Sequence, residues 1–363
     1  MTISECAALL AHFRLDSDAV TCTSYGEGHI NETYRITLAN GKQYILQSIN
    51  RSVFKNTECL MKNFAEVTAY LKQIILQNGG DPERQTLTIV PTVDGKTHFY
   101  DENGTPWRVC LFLEDTFSFQ SVKDPADFYF SAKAFAQFTA MLRDYPAAQL
   151  TETIPSFHNT KIRYYNLIKA IQSDSHARVR SVGPEISFAL DRIARAGCII
   201  DAIEDGRIPL RVTHNDTKLN NVLIDSRTGR AICVCDLDTI MPGSILYDFG
   251  DAIRFGTNPA AEDEPDLSKV WCDLTLFDAY VKGTMEVLGA HLTETEVDYL
   301  PLGAWTMTLE CGIRFLTDYL EGDVYFRTHR EGQNLDRCRT QFKMVADMEA
   351  KEADMEAIVN KYR

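Results

Sequence analysis

The run His214-Asn215-Asp216-Thr217-Lys218-Leu219-Asn220-Asn221, followed by a strand-like stretch ending in Asp236-Leu237-Asp238, constrains this chain more than any other feature. Asp216 and Asn221 are five residues apart and belong on one short loop, whereas Asp236 follows Asn221 by fifteen residues, at the end of the next hairpin. Phosphoryl transfer needs such a set. One carboxylate receives or orients the proton of the attacking hydroxyl, while an Asn and a second Asp hold the magnesium that bridges the nucleotide phosphates. A His-x-Asp alone would be weak evidence, because polar loops are common; the added Asn and the strand-borne Asp at these spacings make the pattern specific. Lys218 stands two positions after Asp216, where an ammonium can offset charge developing on the transferring phosphoryl group. Its plainer alternative is a surface lysine.

A chain of 363 residues exceeds the usual size of one core, so a large bilobal unit or two domains is expected. The formal net charge of −14, with no Lys/Arg-rich block, would repel a phosphate backbone and excludes nucleic acid as a partner. No apolar run approaches bilayer length, and the opening Met1-Thr2-Ile3-Ser4-Glu5 carries an acid where a signal peptide carries a base. A cytoplasmic protein without a membrane partner is expected, its oligomeric state open. The ten cysteines include no Cys-x-x-Cys pair and read as reduced thiols; Cys233 and Cys235 read as small buried residues of a strand.

Strand signals dominate the first third of the chain and helical periodicity the remainder, which puts a boundary near Glu114-Asp115. The fold expected is α+β and bilobal, like that of protein kinases. Residues 1–114 form a small lobe with a five-stranded antiparallel sheet plus one helix, and residues 115–363 a larger, mainly helical lobe. Thr21 to Tyr25, His29 to Leu38 and Lys42 to Ile49 read as strands, the last two joined at Asn40-Gly41. Leu60, Phe64, Val67, Tyr70, Leu71, Ile74 and Ile75 recur at helical spacing within Val53 to Gln77, ahead of Gly79-Gly80. Leu87 to Val90 and Thr97 to Tyr100 complete the five strands and lead to the run from Trp107 to Glu114. Helices are expected over Pro125 to Arg143, Thr160 to Ile171, Pro184 to Ala202, Leu267 to Leu288, Leu300 to Tyr319 and Gln341 to Tyr362.

Gly26 and Gly28 lie between the first two strands, where backbone can approach phosphates closely; a hairpin turn is the alternative. A kinase normally carries a lysine on its third strand to pair those phosphates, but here the residue is Gln47. Glu66, on the following helix, would orient that lysine or else face solvent. The literal Asp248-Phe249-Gly250 lies too far beyond Asp216 to be the magnesium motif and reads as a tie between the catalytic core and later helices. Asp238 either shares the metal with Asp236 or ends the strand. Near the C-terminus, Glu310, Arg314 and Asp318 share a helix face, either as an ion-pair ladder or as part of a sugar site with nearby aromatics.

Together the glycine loop, His214-Asn215-Asp216 with Asn221, and Asp236 resemble the aminoglycoside phosphotransferase and choline kinase superfamily. The strings Tyr25 to Asn31, Leu210 to Asn221, Asp236 to Ser244 and Glu310 to Phe315 look like those of bacterial N-acetylhexosamine 1-kinases. That resemblance implies transfer of the ATP γ-phosphate to the anomeric hydroxyl of N-acetylglucosamine or N-acetylgalactosamine. It implies Asp216 as base, Asn221 and Asp236 as ligands of Mg2+, and Phe112, Leu113 and Glu114 as the link that offers backbone groups to adenine. His29, Arg314 and Tyr325 are its sugar-site candidates. Gln47 departs from the superfamily lysine. Two alternatives follow: a kinase of the same fold for another hexose, an amino alcohol or an aminoglycoside, and a pseudokinase that binds nucleotide without turnover.

Overall fold

The computed structural model describes residues 1–26, 30–122 and 124–363. The chain forms two compact units, the first made of Met1–Ser118, Gln149–Pro155 and Val222–Met241, the second of Phe119–Ala148, Ser156–Asn221 and Pro242–Arg363.

The first unit is built on an antiparallel sheet of six strands: β1 (Ala19–Ser24), β2 (Thr33–Leu38), β3 (Gln43–Ser48), β4 (Ile89–Val90), β5 (Phe99–Tyr100) and β6 (Pro106–Leu111). Their order is β1-β2-β3-β6-β4, with β5 also on β6. The sixth strand is the run that sequence reads as a lead into the link. It pairs with β3 and β4 and is buried from Pro106 to Cys110, so it lacks the in-and-out alternation of a half-exposed strand. The β2–β3 hairpin closes at Gly41, whose φ of 86° suits glycine. Helix α1 (Ile3–Leu10) carries a Thr2/Glu5 capping box, and Asn56 caps α2 (Thr57–Gln77) by accepting from Cys59 N–H at 3.1 Å. Leu60, Phe64, Val67, Leu71 and Ile75 of α2 are buried, while Tyr70 and Ile74, at the margin of the same stripe, are half-buried. A short α3 (Pro82–Gln85) follows. The unit ends with a three-stranded sheet in which β9 (Val222–Asp225) lies between β7 (Thr116–Phe117) and β10 (Ala231–Val234), β8 (Arg211–Thr213) belonging to the second unit. The β9–β10 register sets Val234 opposite Val222.

The second unit is mainly helical: α4 (Pro125–Met141), α5 (Thr160–Ser173), α6 (Gly183–Leu190), α7 (Ile193–Ala196), α8 (Cys198–Glu204), α9 (Ile245–Gly256), α10 (Leu274–Leu288), α11 (Glu294–Asp298), α12 (Leu300–Leu320), α13 (Gln333–Ala350) and α14 (Glu352–Lys361). The long helix expected over Pro184 to Ala202 is broken into α6, α7 and α8, the last two parted at Gly197. The helix expected from Leu267 begins only at Leu274, where Asp273 caps it through Thr275 N–H at 2.8 Å. Helix α9 has no counterpart in the sequence reading. Eleven of its residues are buried, and its polar residues Asp248, Asp251 and Arg254, spaced by three, are among them, so its polar face is turned into the protein and not toward solvent.

Helices α9 and α12 approach closely at two glycines. A Cβ on Gly250 would lie 2.4 Å from the Gly303 carbonyl oxygen, a distance that real side chains do not tolerate. Gly250→Ala should therefore destabilise the protein by about 1–3 kcal/mol through overpacking, outweighing the helix preference of Ala over Gly. A shift of the urea midpoint to lower concentration is the expected reading, and an unchanged or higher midpoint would show that the helices separate freely. Among the described residues no helix is long and apolar enough to cross a membrane.

Candidate active site

The loop between β8 and β9 carries Asp216, Lys218 and Asn221, and the structure brings all three together. Lys218 Nζ lies 2.7 Å from Asp216 Oδ1. Asn221 Nδ2 donates to the Asp216 carbonyl at 2.8 Å and to Asp216 Oδ2 at 3.1 Å. The five-residue spacing thus closes the loop on itself. Burial pulls the Asp216 carboxyl up, but the Lys218 ammonium and the Asn221 hydrogen bond outweigh it and hold the group below the ordinary carboxylate range. Asp216 in turn raises the Lys218 pKa, despite the opposing effect of burial.

The loop is braced from beneath by α9. Asp248, in the first turn of that helix, accepts from His214 N–H at 2.9 Å and from Asn215 N–H at 2.7 Å. Those two bonds hold Asn215 at a φ of 63°, a left-handed conformation that Asn tolerates better than most residues. Asp251, one residue past Gly250, accepts from Thr217 N–H at 3.1 Å, and its other oxygen takes Arg254 Nη2 at 2.8 Å. Arg254 also pairs with Glu262 at 3.0 Å. The His214 ring packs between those of Phe135 and Phe138, and its Nδ1 accepts from Asp216 N–H at 3.3 Å. Burial pushes the Asp248 carboxyl up to about 6, which leaves it largely ionised at neutral pH. The Asp248-Phe249-Gly250 triplet is therefore a support for the catalytic loop.

Asp236 follows β10 by two residues, is exposed, and has a φ of 59°. Asn221, in the second unit, spends its amide nitrogen on Asp216, which leaves its carbonyl oxygen as a donor, and Asp236, in the first unit, carries carboxylate oxygens. Each is separately an oxygen donor of the kind that magnesium accepts. Among the described residues no group of three or more His, Cys, Asp or Glu that could hold a metal occurs.

Gln47 lies on β3 opposite Arg108 of β6, and its Oε1 accepts from Arg108 Nε at 3.0 Å and Nη2 at 2.6 Å. Glu66 sits 3.9 Å from Lys62, one helical turn away. Gly26 has a φ of 80° with open space at its Cβ position, as close backbone approach requires. Gly28 and His29 lie outside the described residues. Of the expected adenine link, Phe112 N–H donates to Gln43 O at 3.1 Å, while the Leu113 and Glu114 carbonyls accept from Thr116 at 2.7 Å and Arg84 at 2.9 Å. The Phe112 ring meets Tyr25 edge-on, with centroids 5.6 Å apart.

In the second unit Arg314 and Tyr325 come together. The Arg314 guanidinium lies 5.1 Å from the Phe157 ring centroid, 5.3 Å from Phe326 and 5.8 Å from Tyr325. Glu310 and Asp318 do not ladder with it through hydrogen bonds. Glu310 is buried and accepts from Thr160 Oγ1 at 2.8 Å, with His158 Nδ1 also at 2.8 Å. Asp318 accepts from Val324, Tyr325 and Phe326 N–H groups at 2.9, 2.7 and 3.0 Å, and so shapes the loop that presents Tyr325. Sequence spacing missed His158 and Arg108, which left no signal. The tie expected of the Asp248-Phe249-Gly250 triplet is made by the Asp248 carboxylate on the backbone of His214 and Asn215.

The sequence profile of the phosphotransferase enzyme family matches residues 21–279. Among solved structures, an aminoglycoside phosphotransferase from Alicyclobacillus acidocaldarius superposes with a TM-score of 0.63 at 12% identity, over 98% of this chain and 96% of that one. A microcompartment-associated aminopropanol kinase gives 0.55 at 16% identity, over 98% and 99%. An amicoumacin kinase in complex with AMP-PNP, Ca2+ and Ami gives 0.59 at 15% identity, over 96% and 92%. At these identities the likeness is one of fold.

Proposed function

We propose that this chain, which belongs to the phosphotransferase enzyme family, transfers the γ-phosphate of ATP to the anomeric hydroxyl of N-acetylglucosamine or N-acetylgalactosamine, yielding the sugar 1-phosphate. The observation that carries this reading is the Asp216–Lys218–Asn221 triangle on a loop held by Asp248 and Asp251. Asp216, ionised and fixed by two neighbours, accepts a hydrogen bond from the attacking hydroxyl, orients its lone pair and takes the proton as the new P–O bond forms and the bond from the γ-phosphorus to the β–γ oxygen breaks, releasing ADP. Lys218 sets a positive charge beside the transferring phosphoryl group. Magnesium, held by Asn221 and Asp236, would supply charge neutralisation on the bridging phosphate oxygens. Gly26 and Gly28, the Gln47 position and the link Phe112-Leu113-Glu114 serve the nucleotide, on residues 1–114; residues 115–363 serve catalysis and the acceptor.

The acceptor class rests on the sequence strings that resemble those of N-acetylhexosamine 1-kinases and on the Arg314 wall. Phe157, Tyr325 and Phe326 offer faces for sugar C–H surfaces and Arg314 a donor for hydroxyl or acetyl oxygen, with His29 as a further contact. Arg163, beside this wall, has its pKa lowered by burial and by the like charge of Arg314. Two interacting guanidinium groups disfavour a polycationic aminoglycoside there, although several similar structures are of such enzymes.

Phosphorus NMR of the product from ATP, magnesium and either sugar tests the proposal. A resonance coupled to the anomeric proton supports it. Failure with both sugars but turnover with another hexose, an amino alcohol or an aminoglycoside would refute the acceptor assignment and keep the kinase. Nucleotide binding without turnover on any acceptor would favour a pseudokinase. Lys218→Met should lower kcat by about 10²-fold, roughly the effect of removing one preorganised charge-stabilising donor, with little change in acceptor KM. A near-normal kcat would return Lys218 to the surface.

A further inference from the structure

Asp238, two residues past Asp236, is a buried carboxylate with both oxygens engaged inside the first unit. One oxygen pairs with Arg108 Nη1 and the other accepts from Asn31 Nδ2 at 2.6 Å. Arg108 and Asp238 are each about 3% exposed, and Phe64 lies 4.8 Å beneath the guanidinium. The remaining edge of the Arg108 fork rests on Gln47 Oε1, and Gln47 Nε2 is itself tied to Thr33 Oγ1 at 2.9 Å. Asn31 is fixed in turn, its Oδ1 accepting from Asn50 N–H at 2.9 Å.

The same short turn is tethered twice more. The Asp238 carbonyl accepts from Thr153 Oγ1 at 3.0 Å, and the Ile240 carbonyl from Asn63 Nδ2 at 2.9 Å. Asp236 opens this turn in a left-handed conformation, which Asp adopts more readily than most residues, and the tethers that follow it fix the turn. A fully buried ion pair is costly to desolvate and is weak evidence for stability, which invites a role in geometry instead.

We propose that Asp238, clamped between Arg108 and Asn31, is the positioning residue that aims the Asp236 carboxylate at the metal, and that Gln47 serves as the rest on which Arg108 is aligned. This deepens the kinase reading and depends on it. Asp238 then has no metal-ligand role: its oxygens are already committed, and what it transmits is the orientation of its neighbour two residues back. The residue at the third-strand position is a neutral acceptor because the cation beside it comes from the adjacent strand, already forked between Gln47 and Asp238; a lysine at position 47 would set a second positive charge beside the buried Arg108.

The test uses the full chain with Mn2+ as probe, titrated with AMP-PNP present and followed by the electron paramagnetic resonance of free Mn2+. Asp238→Asn should weaken Mn2+ binding about 10–100-fold, the usual effect of removing a group that orients a ligand. The Mg2+ concentration for half-maximal turnover should rise in parallel, while the acceptor KM stays unchanged. Because Asp238→Asn strands a buried guanidinium and can unfold the unit, Asn31→Ala and Arg108→Lys accompany it. The first removes one tether and spares the ion pair; the second keeps the charge but loses the fork. Both should weaken Mn2+ while retaining a cooperative melt. Unchanged Mn2+ affinity in folded variants would overturn the proposal, as would an acceptor KM that rises in step with the metal requirement. If the wild type transfers no phosphate to any acceptor, the kinase reading fails separately, and the Mn2+ titration still decides the role of Asp238.

Discussion

Asp216→Asn should leave a folded protein that turns over about 10²–10⁴ times more slowly, the range expected for loss of a general base. The amide fits the same space beside Lys218 and Asn221 but cannot take a proton from the acceptor. The stability change should be small, about 0–1 kcal/mol, because the pair with Lys218 is partly solvent-exposed, at 26% and 37% for the two side chains. ADP release in a coupled assay and a urea titration give the two readings; near-normal turnover would show that the base lies elsewhere. A pH profile adds an independent check. The native carboxyl is held below its ordinary range, so it stays ionised well above pH 4 and should contribute no acidic limb between about pH 5 and 8. A limb there that disappears in Asp216→Asn would contradict the electrostatics described.

Asp248→Ala should be the most damaging substitution away from the reacting atoms. It removes the acceptor of two buried N–H groups, those of His214 and Asn215, and each orphaned donor costs about 1–3 kcal/mol. A loss of about 2–6 kcal/mol in all is expected, enough to lower the thermal midpoint by many degrees. Activity should fall as well at temperatures where the variant is still folded. Asn215 would no longer be held in its left-handed conformation, and a misplacement of about 1 Å in Asp216 is worth about 10²-fold. Asp248→Asn keeps one acceptor and should lie between wild type and Ala in both respects. If Asp248→Ala melted like the wild type, the brace beneath the loop would not be what holds it.

Both predictions depend on contacts of different range, and that range also decides how much could be read in advance. Asp216, Lys218 and Asn221 lie within six residues, so a single turn of loop brings them together, and their chemistry is legible from spacing. Helices α2, α4, α5 and α12 were legible because each has recurring apolar positions over several turns. Helix α9 was not: it is short, carries two glycines, and its polar residues Asp248, Asp251 and Arg254 are buried, so the segment reads as a polar tie. The sixth strand of the sheet was missed because its continuous burial leaves it no alternation.

Glu310, Arg314 and Asp318 show a different limit. Their helical spacing is compatible with an ion-pair ladder, yet the hydrogen bonds of Glu310 go to Thr160 and His158, some 150 residues earlier in the chain, and those of Asp318 to a following loop. A strong acceptor is paired by whichever donor the fold delivers, and that donor need not be the nearest on its own helix.

By itself, then, the sequence determined the α+β class, the order of strand-rich and helix-rich parts, and the meeting of Asp216, Lys218 and Asn221 on one loop. These follow from local propensity, burial periodicity and the short reach of a few peptide units. Only the tertiary structure decided that Asp248 supports the backbone of His214 from 34 residues away, and that Arg108 joins Gln47 to Asp238 across separations of 61 and 130. The physical reason is that a buried polar group must find a partner somewhere, and which partner it finds depends on how distant segments pack.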